Sequence, residues 1–215
     1  MLLAIEDFVP VLLSAACLWL ISRWVGSTDT RLGGWAMAGT ALVALGGLSK
    51  AVHKLLLATA DADATPLDAA LFPLLAAGFA VVAASVWSAA QHRRPVLASL
   101  LAAPVVWVIG FAAYGATGRG AFIGLATVGS VTLSVLLIRR ARRLDLRLAS
   151  WLFFVALALT IVLGGMAPTL GDAIEFQWLE QGTNTLNQAL FLLAAVLLHR
   201  SATTRYETEH TAGRP

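Results

Sequence analysis

Charged residues are scarce in this chain of 215 residues: they make up 13% of it, whereas 59% is hydrophobic. Soluble domains are about 25% charged and about 45–50% apolar, so this scarcity excludes an ordinary soluble domain and a disordered chain. The few basic residues lie in short clusters between apolar runs. Such clusters are typical of membrane proteins, where they set topology. We therefore expect an integral membrane protein without a nucleic-acid partner.

Cysteine and histidine are also rare. The chain contains one cysteine, Cys17, so an intramolecular disulfide is excluded. Its four histidines are scattered and show no zinc-binding spacing. His92 and His199 lie beside arginines at helix ends, which does not suit a buried pair of haem ligands. We therefore expect neither a metal nor a cofactor.

Long apolar runs account for most of the chain. A helix needs about 20 apolar residues to cross a hydrocarbon core of about 30 Å. Seven segments approach or exceed this length: Leu3–Ser22, Gly34–Leu57, Pro66–Ala90, Pro95–Ala116, Gly120–Ile138, Leu148–Pro168 and Ala173–Leu198. The sequence therefore predicts an all-α membrane protein, a seven-transmembrane-helix bundle in one domain over residues 1–199. Residues 200–215 are expected to form a polar, disordered cytoplasmic tail.

The basic residues are distributed unevenly between the two ends of these segments. Twelve of the fifteen lie in connections 1–2, 3–4 and 5–6 and in the tail: Arg23, Arg31, Arg93, Arg94, Arg139, Arg140, Arg142, Arg143, Arg147, Arg200, Arg205 and Arg214. Only Lys50, Lys54 and Arg119 fall on the other side. By the positive-inside rule the twelve face the cytoplasm. This places the N-terminus outside and the C-terminus in the cytoplasm of a multi-pass protein of the plasma membrane.

The second segment combines glycines with basic groups on one helical face. At 100° per residue, Gly39, Gly46, Lys50, His53 and Lys54 fall within one stripe. Glycines allow helices to approach closely, so the stripe is expected to face protein, with Lys50 pointing into the bundle. The other reading is that both lysines extend to the outer headgroups. These are the only lysines of the chain, and every other basic position is arginine.

The seventh segment carries an unusual number of amides. Glu180, Asn184 and Asn187 follow i, i+4, i+7 spacing and therefore share one face. Unpaired amides in hydrocarbon cost several kcal/mol, so this face must meet other helices or water. Two interpretations remain open: hydrogen bonds that hold helices together, or the lining of a cavity for a solute or ion.

The two polar stripes lie at similar depth. A Lys50–Glu180 or Lys54–Glu180 ion pair would hold both charges and make helices 2 and 7 neighbours. Glu6 and Asp7 precede the first apolar run and are expected to reach the outer mouth of the bundle. Asp68 follows Thr65 and Pro66 and is expected to start helix 3.

Three functions are compatible with this pattern. The first is a protein that binds and translocates a small solute, ion or proton through an outward-facing cavity between helices 2, 3 and 7. Its binding residues would be Lys50, His53, Lys54, Glu180, Asn184 and Asn187, and its ligand a small anionic solute or a lipid headgroup. The second is a membrane-embedded enzyme that acts on a lipid of the outer leaflet, with His53 as general base and Glu180 as general acid. The third is a structural or accessory subunit in contact with the bilayer and with a second copy or a partner membrane subunit.

Overall fold

The computed structural model describes residues 5–60, 62, 64–91, 96–166 and 174–212. Over these residues the chain forms seven long helices, and we name them in chain order. They are α1 (Phe8–Thr28), α2 (Thr30–Ala60), α3 (Thr65–Ala90), α4 (Val96–Thr117), α5 (Gly120–Arg143), α6 (Arg147–Met166) and α7 (Ile174–Ala212). The predicted all-helical architecture is therefore confirmed.

Five of the helices are long and apolar enough to cross a membrane. They are α1, α2, α3, α5 and, within α4, Ala98–Gly115. The prediction of seven such segments is met only in part, for two physical reasons. The described apolar stretch of α6, Arg147–Leu163, is shorter than the others, and the amides and Glu180 in the first half of α7 lower its hydropathy.

The predicted segment boundaries differ from the helices at several ends. The predicted limits Leu3, Pro95, Pro168 and Ala173 lie outside the described residues. At the other end, α7 remains helical as far as Ala212, well beyond the predicted limit at Leu198. Much of the polar tail therefore continues the last helix.

Six of the helices pack in a ring. Going round it, α1 contacts α2, α2 contacts α3, α3 contacts α5, α5 contacts α6, α6 contacts α7, and α7 returns to α1. The remaining helix, α4, packs on the outside of this ring against α3 and α5. Most of the large apolar side chains of α4 are accordingly exposed, including Val108 and Phe111.

The most extensive helix contact in the ring, between α2 and α3, contains glycines at points of close approach. A Cβ atom on Gly39 would lie 2.8 Å from the carbonyl oxygen of Gly78, and one on Gly78 would lie 2.6 Å from Val43. Gly46 meets α3 in the same way, at 3.0 Å from the carbonyl oxygen of Leu71. The glycine stripe of α2 thus faces protein, as its spacing predicts.

The two ends of the bundle differ in composition. At the end that we call the arginine end, α5 finishes with three arginines in its last turn, Arg140, Arg142 and Arg143, which suit the negative end of the helix dipole. At the opposite end, which we call the cavity end, α1, α3 and α7 begin and α2 finishes. There α3 starts with Pro66 and Asp68 in its first turn, as predicted.

The main apolar core lies toward the arginine end. It contains fully buried side chains from α1, α3, α5, α6 and α7, among them Val25, Val86, Leu137, Phe153 and Leu198. Phe153 packs edge-on against Phe191 with ring centroids 5.1 Å apart. We refer to this part of the bundle as the packed half.

Candidate functional site

A cavity of about 880 Å³ lies at the centre of the six-helix ring, toward the cavity end. All six helices of the ring contribute side chains to its lining, and the outlying α4 contributes none. The sequence placed the cavity between helices 2, 3 and 7, which accounts for only half of its walls. A volume of this size falls within the usual range of small-molecule sites.

The wall formed by α7 is polar. Glu180, Asn184 and Asn187 all line the cavity, so the face that they share is turned inward as predicted. Gln181 and Gln188 line it beside them. Glu180 is exposed, Asn184 is half-buried and Asn187 is 3% exposed, so burial increases along the helix from the cavity end.

The wall formed by α2 carries the two lysines. Lys50 and Lys54 both line the cavity, and both side chains are half-buried. His53 was expected beside them, but it is not part of the described lining, and its Nδ1 is buried without a hydrogen bond. At 100° per residue His53 is 100° away from Lys54, at the edge of the predicted stripe.

Lys54 is held by a residue that the sequence analysis did not assign to the site. Its Nζ lies 2.6 Å from Asp7 Oδ2, and Gln181 Nε2 donates a hydrogen bond to Asp7 Oδ1. We call Asp7, Lys54 and Gln181 the Asp7 cluster. Beside it, Thr185 Oγ1 donates to Glu6 Oε1 at 2.7 Å. The cluster ties the start of α1 to the end of α2 and the first turns of α7.

The predicted pairing of Glu180 with a lysine is therefore wrong for Lys54, whose partner is Asp7. Among the described residues, neither Lys50 nor Glu180 forms an ion pair. The expected direct packing of helices 2 and 7 is also wrong, because α1 lies between them and contacts both. The two stripes face the same cavity from separate walls.

The Asp7 cluster provides a reference level for depth. Lys50 lies four residues below Lys54 on α2, or about 6 Å deeper. On α7, Asn184 and Asn187 lie about 4.5 Å and 9 Å below Gln181. Lys50 is thus level with the two asparagines, below the cluster, and it is the only charged residue of the described lining at that depth.

The two polar atoms of the Asn187 side-chain amide differ in their hydrogen bonding. Its Nδ2 donates to Thr160 Oγ1 of α6 at 2.9 Å, and Thr160 Oγ1 in turn donates to the carbonyl oxygen of Ala156 at 3.0 Å. The only hydroxyl proton of Thr160 is used in that second bond, so its oxygen must accept from Asn187. In this arrangement Asn187 Oδ1 is buried, and it has no hydrogen-bond partner among the described residues.

Several other predicted positions lie away from this cavity. Asp68 forms an ion pair with Arg119 at 2.6 Å, between the start of α3 and the connection that precedes α5. At the arginine end, Arg140 lies over the ring of Trp24, 5.3 Å from its centroid. Within the part of the chain that the structure describes, no three His, Cys, Asp or Glu side chains are placed to hold a metal ion.

Gln181 and Thr160 are site residues that sequence reasoning missed. Asp7 was expected at the mouth of the bundle, because it directly precedes an apolar run, but its pairing with Lys54 was not predicted. Thr160 lies in a long apolar segment and carries no signal of its own.

Comparison of the chain with protein-family models, with curated proteins and with solved structures returned no match.

Proposed function

We propose that this protein is a carrier of the plasma membrane that binds a small anionic solute in the central cavity and translocates it. In this proposal the seven helices all cross the bilayer, with the N-terminus outside, the C-terminus in the cytoplasm and the cavity open to the outside. The observation that carries the proposal is the cavity of about 880 Å³, in which Lys50 is unpaired beside amide and hydroxyl groups.

The charge of the lining favours an anion. Four of the described residues that line the cavity are charged, and two of them, Asp7 and Lys54, neutralise each other. Glu180 is exposed at the mouth. Below the Asp7 cluster this leaves the ammonium group of Lys50 with the amide groups of Asn184 and Gln188. A half-buried ammonium without a counter-ion attracts an anionic ligand, which would be held by charge-assisted hydrogen bonds.

The asymmetry of the bundle favours a carrier over an open channel. The packed half fills the ring with buried, mainly apolar side chains, which favours a cavity that is closed toward the arginine end. A site that is open on one side and closed on the other is what alternating access requires. The Asp7 cluster links three helices at the mouth and is suited to open and close with the bound state.

Cysteine accessibility tests the location and direction of the cavity. In a Cys17→Ala background, Asn184→Cys puts a thiol in the cavity wall. Leu186→Cys puts a thiol at nearly the same depth on α7 but outside the described lining, where the Leu186 side chain is 53% exposed. We expect a charged, impermeant methanethiosulfonate added to intact cells to modify the first thiol and spare the second, which faces lipid. Modification of Asn184→Cys from the cytoplasmic side alone would contradict the outward opening.

Uptake into proteoliposomes tests translocation. We expect the purified protein to accumulate at least one radiolabelled anion from a panel of lactate, propionate and inorganic phosphate above protein-free liposomes. Lys50→Met should reduce that uptake about tenfold or more, since it removes the unpaired charge, while Arg119→Met, outside the cavity, should not. Failure of the whole panel to enter would refute the proposal.

A further inference from the structure

We infer that a groove on the outside of the bundle, where α3, α4 and α5 meet, binds an anionic phospholipid of the leaflet at the arginine end. One acyl chain lies in the groove, and Arg139 and Arg143 hold the phosphate. The groove has a volume of about 330 Å³ and, among the described residues, shares none of its lining with the central cavity. The inference therefore does not depend on transport through that cavity.

The path of α4 creates the groove. At the arginine end α4 stays close to α3, where Ser85 Oγ donates to the buried Ser99 Oγ at 3.1 Å. Its contact with α5 is less extensive than that with α3. The two helices approach closely at Gly110, toward the cavity end, where a Cβ atom would overlap the ring of Phe122. Toward the arginine end a space remains between α4 and α5.

The lining of this space is apolar and has a shallow floor of small residues. The floor is formed by Ala80, Ala83 and Ala84 of α3 and by Gly129 of α5. At the end nearer the cavity end, the lining residues Val106 and Leu125 pack against the buried Phe122. Trp87 and Leu136 line the end nearer the arginine end. The apolar end of an occupant therefore lies near Phe122, and its polar end lies beyond Leu136.

The length of the groove suits an acyl chain. Along α5 the lining extends from Leu125 to Leu136, which is about 16 Å of helix. One leaflet contributes about 15 Å to a hydrocarbon core of about 30 Å. Trp87 is 41% exposed, and tryptophan is enriched at the level of the headgroups. The groove thus spans the depth of one leaflet and ends where the headgroups begin.

Two arginines continue the groove-lining face of α5. Arg139 and Arg143 follow Leu136 by three and seven residues, which places both within about 60° of it around the helix. They lie about 4.5 Å and 10.5 Å farther toward the arginine end. Both side chains are exposed, and neither forms an ion pair or side-chain hydrogen bond among the described residues.

The neighbouring arginines of α5 are engaged within the protein. Arg140 lies over the ring of Trp24, and Arg142 Nε donates to Ser150 Oγ at 3.3 Å. The helical face that continues the groove therefore carries the arginines that are left for a ligand. Guanidinium groups bind phosphate oxygens through charge-assisted hydrogen bonds, and basic pockets between membrane helices bind anionic headgroups. Because the described lining contains no carboxylate, the site favours a net negative lipid over a zwitterionic one.

Native mass spectrometry of the purified protein tests the headgroup. The protein is titrated with phosphatidylglycerol and with phosphatidylcholine of the same acyl chains. We expect the first phosphatidylglycerol to bind at least about fivefold more tightly, because it adds a net charge beside two arginines. Arg139→Gln combined with Arg143→Gln should abolish this preference.

The matched control removes the same charge from the same end. Arg23 and Arg31 are exposed on α1 and α2, away from the groove. Arg23→Gln combined with Arg31→Gln should therefore preserve the preference for phosphatidylglycerol. Equal affinity of the unmodified protein for both lipids, or a preference that survives the change of Arg139 and Arg143, would overturn the inference.

A second pair of variants tests the acyl chain. Ala84→Phe fills the floor of the groove and should weaken the binding of both lipids about fivefold or more. Ala112→Phe, on the exposed side of α4 outside the lining, should not. Unchanged binding to Ala84→Phe would show that the chain lies elsewhere and would overturn the inference. Size-exclusion chromatography checks that both variants remain folded.

Fluorescence provides a readout that needs no change in the groove floor. Trp87 lines the groove, so phosphatidylglycerol with brominated acyl chains should quench its emission. The quenched fraction should fall in Trp87→Phe and should be unchanged in Trp178→Phe, at the opposite end of the bundle. If Ala84→Phe does not fold, this comparison decides, and quenching that does not depend on Trp87 would contradict a chain in the groove.

Discussion

The packed half and the cavity half of the bundle are built from the same six helices, yet they fill the centre of the ring differently. Toward the arginine end, small and aliphatic side chains such as Val82, Ala194 and Leu137 are fully buried in one apolar cluster. Toward the cavity end, the axis is lined by Lys50, Asn184 and their neighbours, and about 880 Å³ is left open. Each of the six helices therefore contributes buried apolar residues to the packed half and lining residues to the cavity.

This difference shows how a small all-helical chain combines a packed core with an open cavity. The helices approach closely where glycine or alanine lies between them, as at Gly39 and Gly78. They separate where long polar side chains occupy the interface. Lys54 forms an ion pair with Asp7 at the cavity end, whereas Lys50 and Glu180 form no ion pair among the described residues.

The largest expected difference between the two halves is the cost of removing an aromatic ring. Phe153 is fully buried in the packed half, so Phe153→Ala should lower stability by about 3–5 kcal/mol through lost packing and a new void. Phe176 lines the cavity and is 44% exposed, so Phe176→Ala should cost below about 1 kcal/mol. Unfolding in detergent monitored by thermal denaturation compares the two. Equal losses of stability would contradict the open cavity beside Phe176.

A smaller effect is expected from the glycines of α2. Gly39→Ala would place a Cβ atom 2.8 Å from the backbone of α3, and overpacking of this kind costs about 1–3 kcal/mol. Gly34→Ala is the matched control, because no atom lies within 4 Å of its Cβ position. It should be neutral or raise helix stability slightly. If both changes are neutral, the close approach of α2 and α3 is not required for folding.

The smallest effects concern the charged groups, and they distinguish the paired from the unpaired residues of the cavity. A double-mutant cycle on Asp7→Asn and Lys54→Met should give a coupling energy of about 1 kcal/mol, because that pair is partly exposed. The same cycle on Lys50→Met and Glu180→Gln should give additive effects, since these residues do not form an ion pair. Strong coupling of Lys50 and Glu180 would restore the pairing that the sequence suggested.

Local properties of the chain were readable from the sequence. Hydropathy predicted helices throughout, and most of their limits fall within a few residues of the observed ones, because the length of an apolar run reflects the thickness of the bilayer core. The i, i+4, i+7 spacing placed Glu180, Asn184 and Asn187 on one face because helical rotation is fixed per residue. The glycines at Gly39 and Gly46 predicted a close neighbour for the same reason.

The partner of each polar group depended on the tertiary structure. Asp7 meets Gln181, which is 174 residues away in the chain, and Asn187 meets Thr160 on a different helix. These contacts follow from the order of the helices around the ring, with α1 between α2 and α7 and α4 outside. Hydropathy and periodicity describe one helix at a time, and short connections allow more than one such order. Only the packing of apolar and glycine surfaces against one another selects it, and with it which of the two lysines is paired.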